Sequence, residues 1–117
     1  MPDIDFACKQ FDITDIIKCA LGLSRKECRI LRVILDNNKV ELTSDKIAVL
    51  LGVDKSTVQR TLKRMTEKGI LLRKQKNLDK GGFIYVYEIS DKEALRKKLL
   101  MTIKQWELEL EKSIKNW

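Results

Sequence analysis

The sequence predicts a mainly α-helical fold with one small β-hairpin, an α+β class, ending in a long C-terminal helix. Three observations carry that expectation. Apolar residues recur at helical spacing in five stretches, most of them bounded by capping residues. After Ile70 the pattern changes to two β-rich runs around a pair of glycines. The last stretch then repeats apolar residues at intervals of three and four. A chain of 117 residues that is 44% hydrophobic can bury one core and carry one projecting element.

The elements follow in order. Ile13, Ile16, Ile17 and Ala20 form a helical stripe, with Asp12 as its N-cap and Gly22 as its stop. Ser24-Arg-Lys-Glu27 is a capping box, in which each end's side chain satisfies a free backbone N–H of the next helix. That helix is expected to turn Cys28, Leu31, Ile34 and Leu35 inward and to end at Asp36-Asn37-Asn38. Lys39 to Leu42 has room only for a short extended strand. Thr43 caps a third helix, Ser44 to Leu51, with Ile47, Leu50 and Leu51 expected inward and Gly52 closing it. Asp54 caps a fourth, whose apolar positions Val58, Leu62 and Met65 run to a stop at Gly69. Ile70 to Lys76 and Phe83 to Ile89 bracket Asn77-Leu-Asp-Lys-Gly-Gly82, a hairpin with a longer tip. Ser90-Asp-Lys-Glu93 reads as a second capping box and opens a helix to about Asn116.

Two helices joined by a short glycine-containing turn and followed by a hairpin make a winged helix-turn-helix. The run Thr43-Ser-Asp-Lys-Ile-Ala-Val-Leu-Leu-Gly-Val-Asp-Lys-Ser-Thr-Val-Gln-Arg-Thr-Leu-Lys-Arg-Met-Thr-Glu-Lys-Gly69-Ile-Leu resembles the core of MarR-like and TrmB-like transcriptional regulators, especially small archaeal ones. Lys-Ser-Thr-Val-Gln-Arg and the Glu-Lys-Gly-Ile-Leu exit into the wing carry most of the likeness, which spans residues 24–89. The wing tip differs from the Asp-x-Arg type of the common MarR form. The order of elements divides the chain into a winged-helix domain over residues 1–90, with an N-terminal helical extension, and a C-terminal helix over residues 91–117; the resemblance implies that the first binds DNA.

Charge supports the same reading independently. Of the net +7, residues 54–82 carry +6, whereas residues 1–53 balance to zero. A concentrated excess of this kind is the footprint of a polyanion. With Val58, Leu62 and Met65 inward, the fourth helix shows Lys55, Ser56, Gln59, Arg60, Lys63 and Arg64 outward. Taken over residues 55–68 it would lie in the major groove of double-stranded DNA, its N-terminal residues toward the base edges. Gln59 and Arg60 suit bases, because Gln pairs with adenine and Arg with guanine through two hydrogen bonds each. Lys55, Ser56, Thr57 and Lys63 suit phosphates, and Arg64 joins them. The wing, residues 73–83, offers Arg73, Lys74, Lys76 and Lys80 beside Gly81, for the backbone or the minor groove. Tyr85 and Tyr87 alternate with Ile84 and Val86, so one tyrosine face is expected on the body.

The C-terminal helix is expected to build a homodimer. Leu95, Leu99, Ile103, Trp106, Leu110 and Ile114 recur at close to the 3.5-residue period of a coiled-coil seam. Packing on the first helix of the same chain is the intramolecular alternative. The other readings are weaker. With no histidine, Ser-His-Asp and Cys-His catalysis are excluded, and no phosphate-binding glycine loop is present. The expectation is therefore a regulator, not an enzyme, with no metal and no cofactor. Cys8, Cys19 and Cys28 lack metal-ligand spacing and read as apolar filler, although Cys19 falls off its helical stripe, which leaves a redox sensor open. No small-molecule effector pocket is legible. No apolar run spans a membrane and no leader is visible, which predicts a cytoplasmic protein. The competing class is a winged-helix module that docks proteins inside a transcription or chromatin assembly; its recognition face would be apolar or acidic, not basic.

Overall fold

The computed structural model describes residues 3–6, 9–37 and 39–117, with side chains from residue 12 onward. The expectations for Cys8 and Asn38 fall outside the described residues. The elements run β1 (Asp3–Phe6), β2 (Lys9–Asp12), α1 (Ile13–Leu21), α2 (Arg25–Asp36), α3 (Ser44–Leu51), α4 (Lys55–Glu67), β3 (Leu71–Asn77), β4 (Phe83–Ile89) and α5 (Lys92–Lys115). They form two compact units, one of Ser24–Asp91 and one of Met1–Leu23 with Lys92–Trp117.

In the first unit, α2, α3 and α4 pack on one another and on the β3–β4 hairpin. Its core comprises Cys28, Ile30, Leu31, Ile34, Leu42, Ile47, Ala48, Val58, Leu62, Met65, Leu71 and Val86. The caps stand where local chemistry demands them. Ser24 and Glu27 form the reciprocal capping box, Thr43 caps α3 through the Lys46 amide, and Gly52 closes α3 in the left-handed region. The hairpin pairs antiparallel from Leu71↔Ile89 to Asn77↔Phe83. Its tip is thus Leu78 to Gly82, one residue shorter than the sequence suggests. The Leu78 amide donates to the Gly82 carbonyl, and Gly81 and Gly82 sit at φ 92° and 79°. Side chains rarely tolerate that conformation, which is why two glycines stand there. The short strand before α3 reduces to a single bridge, Leu42↔Tyr87.

Three local expectations fail, each for a tertiary reason. Leu50 is exposed, and Ala48 is buried beside Ile47 in its place, because α3 is rotated by the helices it meets. Leu35 is only half-buried, whereas Ile30 is fully inside. Ser90 does not cap α5: its hydroxyl donates to the Gly69 carbonyl and its amide to Ile70, so the helix starts at Lys92 and Glu93 accepts from Arg96.

In the second unit, β1 and β2 pair antiparallel, a hairpin that the sequence reading does not foresee. Asp12 ends β2 and caps α1 through the Thr14 amide. Helix α1 lies against α5. Ile17 is buried, and Ile13, Ile16 and Ala20 are half-buried. No helix among the described residues is long and apolar enough to cross a membrane.

Candidate nucleic-acid interface

Helix α4 is anchored through Val58, Thr61, Leu62 and Met65, all essentially inaccessible. The 3.6-residue period therefore turns Lys55, Ser56, Gln59, Arg60, Lys63 and Arg64 to solvent, and all six are exposed. Thr57 is half-buried. At the N-terminus the Asp54 carboxylate accepts from the Thr57 amide, from the Ser56 hydroxyl at 2.6 Å and from the Thr57 hydroxyl at 2.7 Å. The Ser56 hydroxyl, then the Thr57 hydroxyl and amide, hold the Asp54 carboxyl well below the usual carboxylate range. In this arrangement both hydroxyl protons are committed to Asp54, and only lone pairs remain for an outside partner. A phosphate oxygen offers no proton, so the two hydroxyls are poor phosphate ligands as they stand.

The cations of the expected interface fall into two groups. Lys55 pairs with Asp45 at 2.9 Å, Lys74 with Glu88 at 2.7 Å, and Lys76 with Glu41. Arg60, Lys63, Arg64, Arg73 and Lys80 have no ion pair among the described residues, and each is exposed. Arg60 and Arg64 instead lie along the helix, donating to the Thr57 and Thr61 hydroxyls at 3.4 Å. Gly81 is exposed at the wing tip.

Helix and wing meet around a cleft of about 480 Å³, lined by Gln59, Lys63, Thr66 and Glu67 of α4 and by Arg73, Tyr85 and Tyr87 of the wing. The Arg73 guanidinium lies 4.1 Å over the Tyr85 ring, and Phe83 meets Tyr85 edge to face. A cation held on an aromatic face is oriented before a ligand arrives. The tyrosines thus face α4, whereas period-two alternation shows them only as a shared face without saying what lies opposite.

On α5, the expected seam divides. Leu95 and Leu99 are half-buried, whereas Ile103, Trp106, Leu110 and Ile114 remain exposed. Those last four line an open groove of about 650 Å³ with Glu107, Glu111 and Lys115. Cys28 is buried in the core as expected of a filler, but Cys19 is exposed.

Residues 21–80 match the MarR family. A possible transcriptional regulator from Methanosarcina mazei shares 38% identity with a TM-score of 0.69, the match covering 99% of this chain and 97% of that one. A protein of Methanocaldococcus jannaschii is 29% identical, with 94% of this chain and 89% of that one covered. A point mutant of S. aureus MepR, bound to an oligodeoxyribonucleotide, shares the fold at 16% identity, with a TM-score of 0.60 over 84% of this chain and 70% of that one. With the helix-turn-helix, the wing and the long last helix all in place, the chain belongs to the MarR family of winged-helix transcriptional regulators.

Proposed function

We propose that the protein is a sequence-specific double-stranded DNA-binding regulator acting as a homodimer. The observation that carries this reading is the exposed face of α4, where no acidic residue falls between Lys55 and Arg64 and where Gln59, Arg60, Lys63 and Arg64 stand without an ion pair among the described residues. In a major groove, Gln59 and Arg60 read base edges while Lys63 and Arg64 neutralise phosphates. The cleft beside them seats a stretch of sugar–phosphate backbone, with Lys63 on one wall, Arg73 on the other, and the Tyr85 and Tyr87 rings against the apolar sugars. Ser56 and Thr57, their protons spent on Asp54, accept from base amino groups instead of holding phosphates. Lys80 and Gly81 take the wing tip to the minor groove or the adjacent backbone. The groove on α5 pairs with a second copy, which places two recognition helices on successive turns of a palindromic site. The MepR mutant, of the same fold, is known with an oligodeoxyribonucleotide bound.

Fluorescence anisotropy with a random duplex and with a duplex selected by the protein from a random pool, each at two salt concentrations, tests the reading. Binding that weakens steeply with salt and prefers the selected duplex is expected. Salt-independent binding, or none, overturns it. A second reading, a protein-docking winged helix, has one observation in its favour: Val40, Val49 and Leu50 are exposed around a hollow of about 420 Å³. Binding to no duplex by a folded protein would turn attention there.

A further inference from the structure

Glu27 is the one charged residue buried among the described residues, with 4% of its surface exposed. Its carboxylate accepts from the Ser24 amide at the start of α2 and from Lys68 Nζ at 2.8 and 3.1 Å. Lys68 is the C-cap of α4, forty-one residues further along the chain. The next residue, Gly69, has φ 77°, the turn by which the chain leaves α4 and enters the wing. Around that turn the Ile70 amide donates to the Met65 carbonyl, while Ser90, after β4, ties back to Gly69 and Ile70. Every route from α4 into the hairpin therefore passes through one short junction, and the only charged tie from that junction to α2 among the described residues is Glu27–Lys68.

We propose that Glu27 and Lys68 are positioning residues: their pair clamps the junction of recognition helix and wing onto α2, so that both elements meet one duplex in fixed relation. The proposal rests on the DNA-binding reading of α4 and the wing. A general stability role would be served as well by apolar side chains, because a buried ion pair gains little over a well-packed apolar replacement. Its advantage lies in direction: a carboxylate with two oxygens on one ammonium and a third bond to the Ser24 amide defines where Lys68 sits, whereas apolar contacts slide. Burial pushes the Glu27 carboxyl up, but Lys68 and the Ser24 groups outweigh it and bring it below 4.5, so Glu27 stands as a carboxylate near neutral pH.

The test compares Glu27→Met with Lys68→Met as a double variant, Glu27→Gln, Lys68→Gln and the wild type. Each is measured for melting, for amide exchange at Ile70, and for affinity to a duplex selected by the wild type from a random pool and to a random duplex. The double variant, which also takes from the Ser24 amide its capping-box acceptor, is expected to melt only slightly below the wild type, to exchange faster at Ile70, and to lose about tenfold in the ratio of selected to random affinity, the size of one lost base contact. Glu27→Gln, which keeps an acceptor for Lys68, is expected to retain most of the ratio. A folded double variant with the wild-type ratio overturns the proposal. Should the double variant fail to fold, Lys68→Gln, which alters a half-exposed side chain, decides it, and wild-type exchange and ratio there overturn it as well. A wild type that binds no duplex sinks the DNA reading instead, and exchange at Ile70 then tests the clamp by itself.

Discussion

At Lys63 the ammonium has no acidic partner among the described residues, whereas Lys55 has Asp45, Lys74 has Glu88 and Lys76 has Glu41. Exposed pairs of this kind are worth only about 0–1 kcal/mol, so the paired lysines are free to move to a phosphate. Each one that does so strands an acid near the polyanion, which opposes the gain. Lys63→Ala and Lys80→Ala are therefore expected each to reduce the log–log salt slope of DNA affinity by roughly one unit. Lys55→Ala, Lys74→Ala and Lys76→Ala should reduce it less, and equal reductions at all five would show that the pairs do not persist. Reading is separable from gripping. Gln59→Ala or Arg60→Ala is expected to cost about 1–3 kcal/mol on the selected duplex and little on random DNA. Equal losses on both would make these residues phosphate contacts.

Helix α4 works because its two faces are independent. Leu62 is fully buried, so Leu62→Ala should cost about 2–5 kcal/mol in urea denaturation, while Gln59→Ala on the opposite face should leave stability unchanged. A mild Leu62→Ala would mean that the three-helix core is less well packed than its burial indicates. The Glu27 clasp adds a dependence on pH. Its carboxyl titrates below the ordinary 4.5 in the fold and at that ordinary value once unfolded. The stability it contributes is fully present above pH 4.5 and is lost as pH falls through the lower, folded value. The difference in unfolding free energy between wild type and Glu27→Gln should accordingly hold steady at neutral pH and shrink on acidification below 4.5. A difference that stays constant in acid would mean that Glu27 is not held as a carboxylate.

For the molecule as a whole, the decisive feature is α5. Its 24 residues make a rod of about 36 Å, and the exposed residues on its distal half include Leu110 at 64% and Ile114 at 57%. An apolar stripe so open to water calls for a partner, and a second copy of the same helix offers the matching 3.5-residue period. Sedimentation of the wild type at micromolar concentration is expected to give a dimer, and Leu110→Asp with Ile114→Asp a monomer that still melts cooperatively. Leu99, by contrast, is half-buried, and an aspartate there would disturb the unit itself. A monomeric wild type would end both the dimer and the palindromic site.

Local features were legible because their causes lie within about four residues of chain. Asp12, Ser24 with Glu27, Thr43 and Asp54 announce helix starts through bonds to nearby amides, and Gly22, Gly52 and Gly69 announce the ends. The period of Val58, Leu62 and Met65 likewise dictates which side of α4 faces solvent, since a rigid helix has only one face left over. Summed charge located the basic segment but could not say which cations are paired, because Asp45, Glu41 and Glu88 come to their lysines only when separate elements meet. The same holds for Leu50, whose exposure depends on how α3 is rotated, and for Tyr85 and Tyr87, whose cleft exists only once the wing stands beside α4. Glu27 is the sharpest case. As a capping-box residue it is fully explained by the four residues that contain it, yet its second role, holding Lys68, depends on a contact made across the fold, and no local pattern encodes such a contact.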